Sequence, residues 1–265
     1  MKRSTLMLLT LGALLGVNAN AQSSRSDGPP RLANGKPNLS GVWQAFTTAN
    51  WNVLTHGATA GPPEYGALLA TPPGYGIVDG DEIPYLPAAA EQQRRNYESR
   101  FKDDPEVKCF MPGIPRANYM PYPLQIFHSD EQLLMAYQFA GAARIVNLGA
   151  AQPSAIDSWM GISNARWDGD TLVVDVTGFN GLAWLDRAGN HASAALRVVE
   201  RYTPVGPDAI DYSATLEDPQ TYSRPWTMRF RLLRNPDSKA HLMEFKCVPF
   251  TEQLLYGDLY KQPRQ

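Results

Sequence analysis

From Leu124 onward the apolar residues of this chain recur at every second position, and that period decides its fold class. Leu124, Ile126 and His128 share one face. Ser129 to Gln132 turns the chain, and Leu133, Met135, Tyr137 and Phe139 return on one face. Arg144 to Leu148 is a short further strand. Ile162 to Trp167 runs into Asp168-Gly169, a tight hairpin signal, and Leu172, Val174 and Val176 alternate after it. Leu196, Val198, Glu200 and Tyr202 form the next inward set, Pro207-Asp208 turns it, and Ile210, Tyr212, Ala214 and Leu216 follow. Trp226, Met228, Phe230 and Leu232 come next, and Met243, Phe245 and Cys247 close the series. Short turns between consecutive strands make an antiparallel meander, and a long meander must roll up to cover its edges. The expected fold is therefore mainly β: an antiparallel meander closing into an up-and-down barrel or strongly curved sheet. Asn38 to Trp43 is its first strand, and the Gly41-x-Trp43 spacing resembles the opening strand of lipocalin-like barrels.

Before the alternation begins the chain reads differently. Lys2 and Arg3, an apolar run from Leu6 to Val17, and Ala19-Asn20-Ala21 form a Sec-type signal peptide over 1–21, cleaved after Ala21. The apolar run is too short to span a membrane, which takes about 20 residues. The expectation is a periplasmic or secreted protein with no stable membrane insertion after cleavage. Residues 22–37 read as a flexible N-terminus, and 38–265 as a single barrel-like domain. Within it, 57–87 is an irregular insertion, because Pro62-Pro63, Pro72-Pro73, Pro84 and Pro87 cannot hold a ladder. Ala88 to Phe101 is rich in alanine and free of breakers, so it predicts one helix, ended by Asp104-Pro105.

The two cysteines, Cys109 and Cys247, sit in no CxxC pattern and beside no histidine. In an oxidising compartment such a pair reads as a disulfide, with a catalytic thiol or a metal site as the alternatives. Lys and Arg number 24 against 26 Asp and Glu, without a basic stripe, which argues against nucleic acid as a partner. Walker, GxGxxG, GxSxG and HExxH patterns are absent, so no cofactor and no metal is expected. Asp168, Asp170 and Asp175 could resemble a metal cluster, but Asp168-Gly169 reads as a turn.

Several longer stretches resemble a large family of exported bacterial β-rich proteins. They include Trp167-Asp168-Gly169-Asp170-Thr171-Leu172-Val173-Val174-Asp175 with Thr177-Gly178-Phe179-Asn180, and Cys109 with Pro112-Gly113-Ile114-Pro115-Arg116. Met120-Pro121-Tyr122-Pro123, Gly189-Asn190-His191 and Val199-Glu200-Arg201-Tyr202 continue the likeness. The resemblance implies a secreted, mostly β domain and transfers no chemistry. Gly181-Leu182 departs from the acidic residue that more usually follows the Phe-Asn dipeptide.

The candidate chemistry rests on individual side chains. Glu200 falls on the apolar face with Leu196, Val198 and Tyr202, where a carboxylate is costly unless paired or protonated. It reads either as a general base or as a carboxylate bonded to an interior Arg or Tyr. His191 follows Asp186-Arg187 in a Gly-Asn-His loop, suited to proton transfer at a barrel mouth or to capping the next strand. An exported enzyme of the lyase, isomerase or hydrolase type would use Glu200 as base, His191 or Asp186 as its partner, and Tyr202 to orient. Its substrate would be a small apolar or aromatic molecule. His128, Trp159, Trp167, Trp184 and Trp226 are the candidate ligand-binding residues, with plain core packing as the alternative for each. A non-catalytic periplasmic carrier for the same ligand class, or an envelope interaction module, remains the competing reading.

Overall fold

A computed structural model describes residues 28–63, 69–251 and 254. The expected signal peptide over 1–21 and residues 22–27 of the expected flexible N-terminus lie outside the described residues. Among the described residues, nine strands close into a barrel in chain order: β1 (Gly41–Ala45), β2 (Leu124–His128), β3 (Gln132–Tyr137), β4 (Ala143–Asn147), β5 (Ile162–Asp168), β6 (Thr171–Thr177), β7 (Arg197–Pro204), β8 (Ala209–Glu217) and β9 (Trp226–Arg234). β1 pairs with both β2 and β9, so the sheet has no free edge. The expected lipocalin-like barrel is what forms. Inward residues follow the period of two: Val198, Glu200 and Tyr202 on β7, and Ile210, Tyr212, Ala214 and Leu216 on β8, are all buried.

The Gly41-x-Trp43 spacing has a local cause. Trp43 is buried and its indole Nε1 donates to Leu39 O at 2.9 Å. The Arg234 guanidinium covers the ring at 4.1 Å and its Nη1 donates to Ser40 O at 2.5 Å. Gly41 holds φ +142°, and a Cβ there would stand 2.2 Å from Arg234 Nη1. A side chain at 41 would therefore push the arginine off the tryptophan.

Two expectations about the strands are corrected. The meander is not antiparallel throughout, because β4 and β5 run parallel through only Val146↔Ser163 and Asn147↔Asn164. A parallel pair needs a long crossover, and residues 148–161 supply it. Alternation fixes which face a side chain takes but carries nothing about strand direction. Residues 243–247 form no strand. The outer edge of β9 is already occupied by β1, so the closing segment has no ladder to join. It packs on the outside instead, with Phe245 against Tyr122 (ring centroids 4.9 Å apart) and Cys247 bonded to Cys109. The expected disulfide is thus present and ties this segment to the loop after the helix.

That helix, α1 (Pro87–Asp103), is slightly longer than expected and has Pro87 in its first turn, where a missing N–H costs nothing. Only Ala89 and Asn96 of it are buried. Asn96 Nδ2 donates to Gly189 O at 3.1 Å. Gly189 has φ +82°, and a Cβ there would lie 2.7 Å from Asn96 Cβ, so glycine permits the close approach of loop and helix. The described part of the 57–87 insertion is irregular, joined by isolated bridges such as His56↔Gly74 and Tyr85↔Tyr222.

Candidate functional site

Among the apolar side chains of the barrel interior lies a polar network centred on Glu200, which is fully buried. Arg144 on β4 donates to Glu200 Oε2 from Nη1 at 2.6 Å and to Oε1 from Nη2 at 3.1 Å. Oε1 also accepts the hydroxyls of Tyr202 and Tyr212, both at 2.9 Å, and Asn118 Nδ2 at 2.8 Å. Arg144 spends its remaining donors on the Tyr137 hydroxyl (3.0 Å), the Tyr202 hydroxyl (2.7 Å) and Ser163 Oγ (3.2 Å). Burial pushes the Tyr202 and Tyr212 phenols well above their ordinary range and Tyr137 up to about 12, so all three remain donors near neutral pH. Burial alone would discharge Arg144, but Glu200 and the surrounding phenols hold it firmly protonated. The alternation therefore placed Glu200 correctly, and Tyr202 does bond to it. Its Oε1 accepts four protein donors and its Oε2 accepts Arg144 Nη1.

His191 and Asp186 belong to a different cluster. Asp186, in the loop after β6, is also fully buried. It accepts from Val53 N (2.8 Å), Ala188 N (2.9 Å), Asn190 N (3.1 Å) and Asn190 Nδ2 (2.6 Å). Burial pushes its carboxyl up to about 6 against the pull of these donors. His191 stacks on Tyr85 (5.6 Å), donates its backbone N–H to the Tyr85 hydroxyl (3.1 Å) and accepts the Tyr222 hydroxyl at its carbonyl (2.8 Å). Burial lowers the affinity of its ring for a proton. Asp186 and His191 are linked through Asn190 and Tyr85, and together they pin the 185–191 loop. No described hydrogen bond joins this cluster to Glu200.

A third cluster was not foreseen. Arg116, itself buried, makes a bidentate pair with Asp104 (2.9 and 3.0 Å), reaches Glu106 at 2.7 Å and donates from Nε to Asn50 at 2.9 Å. Arg187 closes on Glu106 at 2.7 and 2.8 Å and lies 4.3 Å over the Trp51 ring. Burial works against a charge on Glu106, yet Arg187 and Arg116 hold its carboxyl at about 2. Among the described residues no group of three or more His, Cys, Asp or Glu is gathered in a way that could hold a metal ion.

The five candidate ligand-binding residues line no common cavity. His128 stacks on Trp167 at 5.8 Å and accepts Leu39 N at Nδ1. Trp226 is buried edge-on against Tyr222. Trp159 and Trp184 flank a cleft of only about 20 Å³, with Phe110 stacked on Trp159 at 5.1 Å. That is room for about one water.

The larger recess lies outside the barrel, between α1 and residues 51–59. Its inner pocket is about 90 Å³ and is lined by Trp51, His56, Tyr97, Arg100 and Phe101. It adjoins an outer recess of about 560 Å³ that shares Asn52, His56, Tyr97 and Ala188 and adds Gln93. Arg100 lies 3.9 Å over Tyr97 and 4.1 Å over Phe101, and its Nη1 donates to Tyr97 O at 2.6 Å. His56 Nδ1 donates to Leu54 O at 2.7 Å, so in that tautomer Nε2 is an acceptor; Nε2 is buried and has no partner. Sequence reasoning missed this groove. Tyr97 and Phe101 stand four apart on one helix face with Arg100 beside them, which was a readable signal. Trp51 and His56 lie in an irregular stretch whose position only the tertiary fold sets.

Compared with family models, curated proteins and solved structures, the chain gives no match.

Proposed function

We propose that the chain is an exported binding protein, a carrier for a small apolar or aromatic ligand held in the groove beneath α1. The observation that carries this reading is the groove itself: Trp51, Tyr97 and Phe101 line a recess that reaches solvent. Export is supported by the leader-like N-terminus and fits the Cys109–Cys247 disulfide. The competing enzymatic reading needs Glu200 to meet substrate beside His191 or Asp186. It is weakened because every donor around Glu200 is engaged inside the barrel, and none of the three clefts is lined by Glu200, Arg144 or Tyr202.

The test uses 2-naphthol and 2-naphthoate as probes, followed by calorimetry. At least one of them should bind one-to-one. Tyr97 is exposed, so Tyr97→Ala should leave the melting temperature unchanged while weakening that binding at least tenfold. Binding that ignores Tyr97→Ala, or no binding of either probe, would remove the groove reading.

A further inference from the structure

We infer that the groove selects hydroxylated aromatic carboxylates, with Arg100 receiving the carboxylate and His56 Nε2 accepting a hydrogen bond from the hydroxyl. The inference rests on the groove reading and sharpens it to a ligand class. Two polar groups carry it, each otherwise unexplained.

The first is Arg100. Its guanidinium is half-buried between two aromatic rings, and no carboxylate pairs with it among the described residues. The other charges of the inner pocket are committed. Asp104, in the same inner pocket, is bidentate to Arg116, and Arg187 is bonded to Glu106. In the outer recess Arg94 pairs with Glu91, and Glu98 stands exposed on the rim. A half-buried cation without a counter-charge is costly, and a ligand carboxylate accepting its remaining N–H groups would remove that cost. The partial loss of hydration already lowers its affinity for a proton, in keeping with an absent counter-charge.

The second is His56. Because a carbonyl can only accept, the bond to Leu54 O places a proton on Nδ1, and in that tautomer Nε2 carries the lone pair. A buried acceptor left without a donor costs free energy comparable to a lost hydrogen bond. His56 borders both the inner pocket and the outer recess, so a ligand lying across the two passes it. A dry cavity of about 150 Å³ takes one benzene ring in another protein. The inner pocket alone, about 90 Å³, admits only part of such a ring, and the remainder must extend outward along His56. A phenolic hydroxyl supplies the donor that Nε2 lacks, on the same rigid ring that the aromatic walls accept.

The experiment compares 2-naphthol, 2-naphthoate and 6-hydroxy-2-naphthoate by calorimetry on the full chain. 6-Hydroxy-2-naphthoate should bind at least tenfold tighter than either singly substituted probe. Arg100→Gln should abolish the advantage over 2-naphthol and leave the advantage over 2-naphthoate. His56→Phe should do the reverse. Melting curves establish that both variants are folded, and Arg100→Lys, which keeps the charge, should retain part of the carboxylate preference. If the three probes bind equally well and all are weakened by Tyr97→Ala, the ligand class is wrong while the groove reading stands. If none shows binding that depends on Tyr97, both fall together.

Discussion

Glu200→Ala should lower the stability of the fold by about 3–5 kcal/mol, the scale for removing one partner of a buried ion pair. The cause lies in what remains behind. Arg144 keeps its charge in the barrel interior with no carboxylate to meet it, and the Tyr202 and Tyr212 hydroxyls lose their common acceptor. The site is also mechanically exposed. β4 and β5 share only two register pairs, and Arg144 on β4 crosses that seam to Ser163 on β5. Hydrogen exchange in the variant should therefore accelerate first along β4 and β5. The melting temperature should drop by about 10 °C for a domain of this size. The double variant Arg144→Met, Glu200→Leu should recover much of the loss, because a buried pair exchanged for apolar groups is often nearly neutral. A single variant that melts with the parent would show that the pair contributes nothing.

The second large effect is set by pH at Glu106. Its ordinary pKa of 4.5 falls to about 2 in the folded chain, where Arg187 and Arg116 hold the charge against burial. A lowered folded value means stability that is fully present above pH 4.5 and is lost as the pH falls toward 2. The shift corresponds to about 3 kcal/mol. Glu106→Gln should therefore be less stable than the parent by that order at pH 7, and denaturant titrations should find the difference shrinking to near zero by pH 2. A difference of the same size at both ends would contradict the assignment. Asp186 works in the opposite sense. Its folded value is raised from 3.8 to about 6 by burial, so its contribution is full below pH 3.8 and is lost as the pH rises through 6. The comparison with Glu106→Gln cancels that background.

The barrel was legible because a closed sheet with a packed interior imposes a period of two on its strands, and β2 to β4 and β7 to β9 keep it cleanly. The parallel β4–β5 junction was not, since direction leaves no mark on alternation. Residues 243–247 alternate as a strand would, but closure of β9 onto β1 leaves them packing their apolar side chains on the outside. Glu200 was recognisable as a buried carboxylate. Its partner Arg144 sits two residues before Val146, which is buried on the same face, so the pairing was also within reach of the pattern. The Arg116 cluster and the groove were beyond it. They join residues from 50–56, α1, 104–116 and 187, and no local period records which loops meet.

On the reading proposed above, the barrel interior is packed shut around the Glu200 network and ligand binds outside it, under α1. Nuclear magnetic resonance of the 15N-labelled chain with 6-hydroxy-2-naphthoate tests this most directly. The account predicts shifts at the Trp51 indole N–H, the Tyr97 amide and the Arg100 Nε–H, and none at the Arg144 Nε–H bonded to Tyr137 or the Trp43 indole bonded to Leu39. Shifts at Arg144 with Trp51 and Arg100 undisturbed would place the ligand inside the barrel and contradict it.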